Sequence, residues 1–441
     1  MTTRDMLGLT LSGADSTSLA HYENALRQFQ CYRGDPLAAV DAALAASPAF
    51  VMAHVLKAYL HLLGTEPAGL AVARACYASA ARLPATPQEH GHVAVVGRLL
   101  AGHWHLAGQT LEDLSIEQPR DILALQAGHQ VDFFTGRSRM LRDRIARALP
   151  AWQPGMPAYH AVLGMHAFGL EETGDYAAAE AAGRRAVELE PRDGWAQHAV
   201  AHVLEMQCRQ REGIAWMRTG PQAWAQDSFF QVHNWWHLAL FHLELGEIDE
   251  VLALFDGPIN GAGSSAVLDL VDASALLWRL QLLGVELGQR WQDLAERWQS
   301  LAVAGHYAFN DVHAILAFVG AGRAEAACAL LEAQQQMLRG NTDNARFTAE
   351  VGEPVAQAIL AFGDGHYAQA VRLLRPVRAI AQRFGGSHAQ RDLLDLTLIE
   401  AAFRAGQQCL ATALCHERLA VRPESPLSRR LTERAAEQRA A

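Results

Sequence analysis

The chain has 441 residues, half of them hydrophobic, and 37 Lys and Arg against 47 Asp and Glu give a net charge of −10. With almost every cation an Arg and no basic block, phosphate-backbone binding, which needs clustered Lys and Arg, is excluded as an expectation. The N-terminus has no continuous apolar segment for secretion, and no apolar run of roughly 18 residues is present to span a membrane. The expectation is therefore a cytoplasmic protein that binds neither membrane nor nucleic acid. Its six cysteines, without a CxxC pair, read as reduced and mostly buried.

Along the chain, helix-forming Ala, Leu, Glu, Gln and Arg dominate and alternating strand patterns are lacking. Punctuation recurs instead. Turn glycines are expected at Gly34, Gly102, Gly174, Gly246, Gly322, Gly365 and Gly406. The first four gaps are 68, 72, 72 and 76 residues, each close to two 34-residue tetratricopeptide units. The clearest unit, 160–193, ends GDYAAAEAAGRRAVELEP. Gly174 permits the turn, Tyr176, Ala179 and Ala186 allow close helix approach, and Pro191 stops the second helix. Gly102, Ala107 and Pro119 repeat those offsets, as do Gly406, Ala411 and Pro423. Segments 148–158, 256–265 and 384–387 read as loops. The pattern predicts an all-α, right-handed α-solenoid of tetratricopeptide-like helix pairs over 1–423, strongly curved around a central polar pocket. Sub-blocks are expected at 1–150, 159–256 and 266–423, with 424–441 as a C-terminal cap or tail.

Polar residues set in apolar helices mark the candidate site. In GWAQHAVAHVLEMQ, His198, His202 and Glu205 stand at i, i+4 and i+7 on one helix face. In the next first helix, FFQVHNWWHLALFHLELG, His233 and His237 again share a face, beside Trp236. Two such stripes on adjacent helices offer up to four imidazoles, and so His198, His202, His233 and His237 are candidate ligands for a divalent metal. The HxxxH spacing alone is weak evidence, and the glutamate of a metalloprotease HExxH is absent. In HYAFNDVHAIL, Asn310 or Asp311 is expected to cap a helix with His313 in its first turns. In GGSHAQRDLLDL, pairs Arg391–Asp395 and His388–Asp392 are expected at i, i+4. His166 flanks the best repeat, and Asp269 and Asp272 interrupt AVLDLVDASALLW. There is no GxSxG, P-loop or GxGxxG.

The phrases HAFGLEETGDYAAAEAAGRRAVELEPRDGWAQHAVAHVLEMQ, HNWWHLALFHLELGEIDEVLALFD and AQRDLLDLTLIEAA resemble the tetratricopeptide repeat protein 38 family. The resemblance covers nearly the whole chain. It implies a helical-repeat fold and carries no settled activity.

The function expected first is binding, and conversion if it occurs, of a small polar metabolite in a His-rich concave pocket. His166, His198, His202, Glu205, His233, Trp236, His237, Asn310, Asp311, His313, Arg391 and Asp392 would line it, with Glu205, Asp311, His202 and His237 as catalytic candidates. Two alternatives stand beside it: a scaffold holding a peptide in its groove, and a metal-dependent hydrolase or oxygenase built on the HxxxH helices. A homodimer is compatible with all three.

Overall fold

The computed structural model describes residues 2–301 and 304–440. The sequence-defined solenoid and its tail therefore extend at Met1, Ala302, Val303 and Ala441 onto positions outside the described residues.

The architecture is all-α, a solenoid of helix pairs. In chain order come α1 (Ser16–Gln30), α2 (Pro36–Ala46), α3 (Val51–Leu62), α4 (Leu70–Ala80), α5 (Pro87–Leu100), α6 (Trp104–Glu117), α7 (Ile122–Phe134), α8 (Ser138–Ala148), α9 (Tyr159–Glu171) and α10 (Tyr176–Leu189). Then follow α11 (Gly194–Met206), α12 (Gln210–Arg218), α13 (Pro221–Ala225), α14 (Gln231–Leu245), α15 (Ile248–Leu254), α16 (Val267–Leu282), α17 (Arg290–Ser300) and α18 (Ala308–Gly320). The last are α19 (Ala324–Met337), α20 (Asp343–Phe347), α21 (Glu353–Gly363), α22 (Tyr367–Val377), α23 (His388–Arg404), α24 (Gln408–Val421) and α25 (Pro426–Ala440). Among the described residues no helix is long and apolar enough to cross a membrane.

All seven glycines expected at turns adopt φ between +67° and +86°. Gly174 shows why: the chain reverses between α9 and α10 through the left-handed region, which a side chain with a Cβ resists. The predicted stops hold too, since α6, α10 and α24 end at Glu117, Leu189 and Val421, two residues before Pro119, Pro191 and Pro423.

Two features depart from the sequence reading. Strands β1 (Thr2–Arg4) and β2 (Thr10–Ser12) form a short antiparallel hairpin. Asp5 builds its turn by accepting from the Leu7 and Leu9 amides at 2.9 and 2.8 Å, a local side-chain bond that three-residue strands cannot announce through alternation. Of the cysteines, Cys328 and Cys409 are exposed, Cys208 is half-buried and Cys31, Cys76 and Cys415 are buried, because the second helix of a pair keeps one face in water.

The described chain divides into two compact units, Met1–Val200 with Gly220–Gln231, and Ala201–Thr219 with Val232–Ala441. In the first, the pairs α1–α2, α3–α4, α5–α6 and α9–α10 pack as hairpins. The first helix of a pair is enclosed and the second is half-exposed: α7 buries every residue from Ile122 to Asp132, whereas α10 buries only Ala179, Gly183 and Ala186. Several polar groups on the enclosed helices are joined in networks. Tyr59 Oη meets His92 Nδ1 at 2.9 Å, and His92 Nε2 meets Asp121 at 2.9 Å, while Asp121 also caps α7 by accepting from the Ala124 amide. Arg144 and Asp132, both without exposure, pair at 2.8 Å.

In the second unit α14, α16 and α18 are buried over nearly their whole length. Trp278 donates Nε1–H to Thr397 Oγ1, and Trp298 donates Nε1–H to Ser274 Oγ, both at 2.9 Å. Each ring thus buries its apolar body while its one donor is satisfied.

Close helix approach gives a testable consequence in the first unit. A Cβ on Gly169 of α9 would stand 2.5 Å from backbone atoms of Leu141 and Arg142 in α8. Backbone of a packed helix cannot swing aside, so Gly169→Ala should destabilise the protein by about 1–3 kcal/mol. Urea denaturation followed by circular dichroism measures it, and an unchanged midpoint would contradict this packing.

Candidate functional site

Three of the histidines singled out by the sequence come together in the second unit. α11 contributes His202 and α14 contributes His233 and His237, whose i, i+4 spacing puts both rings on one helix face. The His202 and His237 ring centroids are 4.4 Å apart, and those of His233 and His237 are 4.9 Å apart. One ring nitrogen of each residue lies within 4.8 Å of the other two.

Two carboxylates orient these rings. His233 Nδ1 meets Asp272 Oδ2 at 2.8 Å, and His237 Nδ1 meets Glu205 Oε2 at 3.1 Å. An ionised carboxylate only accepts, so a ring bonded to one presents a proton from Nδ1. Burial drives the ionisation of His202 well below the ordinary range, and the neighbouring His237 and His233 reinforce it. His237 is shifted the same way by burial, His233 and Arg279. Both are neutral at pH 7, the form that binds metals.

Glu205 links this cluster to a narrow slot of about 20 Å3, lined also by Arg279, Asp392 and Arg422. Burial, helped by Asp392, raises the Glu205 carboxyl to about 7 against the opposing pull of Arg422 and Arg279. Asp392 behaves oppositely. Burial disfavours its charge, but Arg418 and Arg422 outweigh that and hold it well below the carboxylate range. Arg418 grips it with both Nη atoms, Nη2 at 3.0 Å, and Arg422 stands at 3.8 Å. Trp236, fully buried, stacks on His233 at 5.4 Å and meets His237 at 5.0 Å.

The other expected residues are placed differently. His198 lies one turn before His202 in α11, within the first unit, packed on Phe168, Trp195 and Phe230 at 5.3, 4.9 and 5.2 Å. His166, also in the first unit, is half-buried, and burial lowers its pKa. Asn310 and Asp311 do not cap α18; Tyr307 holds that position, because the helix begins three residues earlier than the Asn-Asp pair suggests. Asp311 instead folds back to accept from the Gly305 amide at 3.0 Å. His313 bonds the Phe309 carbonyl through Nδ1 at 2.8 Å, and burial pushes it down to about 4. Arg391 donates to the Gly386 carbonyl. Asp392 takes Arg418 as its ion-pair partner and Asp395 takes Arg378 at 2.8 Å, partners from neighbouring elements where the sequence favoured pairs within one helix.

Sequence reasoning assigned no role to Asp272, Arg279, Arg418 or Arg422. A signal existed for the first two. Asp272 and Arg279 are seven residues apart in an otherwise apolar helix, and so share a face two turns apart.

No family model matches the chain. Among solved structures, the chain is similar to the TPR domain of P58(IPK), at 14% identity over 88% of this chain and 98% of that one, with a TM-score of 0.20. The fold assignment rests on the helix pairing described above, not on that likeness.

Asp311 generates a pH prediction. Burial raises its carboxyl from 3.8 to about 7. Between those values the unfolded chain releases this proton while the folded chain keeps it, so rising pH removes stability across the window. Asp311→Asn lacks the titration. Its stability relative to the parent should therefore improve from pH 4 to pH 7 and then level off, as thermal melts over that range can measure. A pH-independent difference would show that Asp311 is already ionised in the fold.

Proposed function

We propose that this chain is a metal-centred helical-repeat protein. In this reading His202, His233 and His237 hold one divalent transition ion, and a small polar molecule is bound beside it. The observation that carries it is the pair of buried carboxylates, Asp272 and Glu205, each bonded to the Nδ1 of a clustered histidine. Metal-ligating histidines are commonly oriented by such a carboxylate on the far nitrogen, which raises ligand basicity and fixes the tautomer. Metal–nitrogen bonds of about 2.0–2.1 Å place ligand nitrogens roughly 3.4 Å apart, and donors already within 4.8 Å of one another need only small side-chain rotations to close. Imidazole-rich sets favour Zn, Fe, Cu or Ni over Mg or Ca.

The bound ion would supply a Lewis acid and an activated water. Glu205, with a carboxyl near 7, would then hold or release a proton at its carboxyl, the tuning expected of a general acid–base group at neutral pH. That combination favours a hydrolytic enzyme. A peptide-binding scaffold is supported only by the repeat architecture, since α14, α16 and α18, the first helices that a groove ligand would touch, are buried along nearly their whole length. The phrases shared with the tetratricopeptide repeat protein 38 family are compatible with this reading and belong to the same proposal.

Protein purified without chelator or metal-affinity resin should contain about one Zn, Fe, Cu or Ni ion per chain. His202→Ala and His237→Ala should each lose it, and Asp272→Asn should weaken affinity by about 10–100-fold. Elemental analysis by plasma mass spectrometry decides. Metal-free protein whose melting point ignores added Zn2+, Fe2+, Cu2+ and Ni2+ would dispose of the proposal.

A further inference from the structure

Arg279 is a buried cation with unused capacity. It projects from α16 with 3% exposure. Its Nη1 donates to the Ala275 carbonyl at 3.0 Å and its Nη2 to the Ala389 carbonyl at 2.7 Å. A guanidinium has five N–H donors, so three remain. Among the described residues no carboxylate pairs with it. The other buried arginines differ: Arg144 has Asp132 at 2.8 Å, and Arg418 has Asp392. Burial pulls the Arg279 pKa down to about 10, against the opposing pull of Asp392 and Glu205 at longer range.

This guanidinium borders two spaces. One is the polar slot with Glu205, Asp392 and Arg422. The other is a chamber of about 220 Å3 walled mainly by Leu282, Leu283, Leu396, Ile399, Leu427 and Leu431. The chamber's other cations are engaged. Arg434 pairs with Glu400 at 2.7 Å, and Arg430 donates to the Glu244 carbonyl at 3.1 Å. What the chamber offers is an apolar wall and one guanidinium with N–H donors to spare.

We infer that this chamber binds a small organic acid with an apolar chain, its carboxylate on Arg279 and its chain along the leucines. A monocarboxylate fits the unused donors. It brings acceptors to the N–H groups that Arg279 leaves over, and its planar oxygens match the guanidinium fork. A phosphate dianion would bring a second charge toward Asp392 and Glu205, and an amine would meet Arg279 with like charge. Arg279 also lies over Trp236, 5.4 Å from the ring centroid, and that ring packs on His233 and His237. The acid's carboxylate end therefore faces the histidine cluster. This inference rests on the metal-centre reading for what happens to the acid there, and not for the binding itself.

The test is calorimetry on the full chain, metal-free and Zn2+-loaded. The probes are hexanoate, hexanol, hexylamine, inorganic phosphate and an N-acetylated peptide ending in leucine. Hexanoate should bind, with hexanol and hexylamine at least roughly tenfold weaker, and Arg279→Met should weaken hexanoate by roughly ten- to hundredfold. Arg279→Lys should fall between, because it keeps the charge and loses the fork. Should Arg279→Met fail to fold, Leu283→Asp serves instead: it sets an anion on the chamber wall at a position 41% exposed and should also weaken hexanoate. The inference is overturned if hexanoate fails to bind or hexanol matches it, or if phosphate or the peptide binds more tightly. It is overturned equally if a folded Arg279→Met binds hexanoate like the parent. Protein that binds hexanoate but no metal would overturn the metal centre and leave this inference standing; protein that binds metal but not hexanoate would do the reverse.

Discussion

A helix enclosed on every side must find a partner for each polar group it carries, because a buried donor or acceptor left unmatched costs about 1–3 kcal/mol and an unmatched charge more. The first helices of the repeat pairs in this protein are enclosed in that way, yet they carry histidines, aspartates and arginines. In the first unit networks between helices meet part of the requirement. Asp121 serves both the α7 amides and His92, which in turn meets Tyr59. Asp132 and Arg144 pair with one another. Such networks tie α3, α5, α7 and α8 together and have no evident chemistry beyond that.

The second unit meets the same requirement with a different result. Its carboxylates are divided between histidines and arginines. Asp272 and Glu205 are committed to His233 and His237, while Asp392 is committed to Arg418 and Arg422. That division leaves three closely packed imidazoles, of which burial holds His202 and His237 neutral, Glu205 with a carboxyl near 7, and Arg279 without a carboxylate at ion-pair distance. Strongly shifted groups gathered around one slot are the usual mark of a functional site rather than of a structural network. Trp236 provides the shared surface, with His233 stacked on it, His237 against its edge and Arg279 over its ring.

Composition and punctuation determined the fold. Gly174 and its six counterparts announced the turns because only the left-handed backbone region closes those helix pairs, and Pro119, Pro191 and Pro423 announced the stops because proline cannot extend the hydrogen-bond ladder. Helical periodicity likewise put His233 and His237 on one face, and His202 and Glu205 on another, since i, i+4 and i, i+3 neighbours share a face wherever the helix sits. What periodicity could not state is which helix faces which. Asp272 came to His233 from α16, and Asp392 turned from its own helix toward Arg418 of α24, because buried charges are matched across packed helices and not along one. Asp311 looked like a cap and became a loop anchor, since the start of α18 was set by the chain before it. The unused donors of Arg279 were equally invisible: whether a guanidinium finds a carboxylate within ion-pair distance is a property of its surroundings, and only the tertiary structure supplies those.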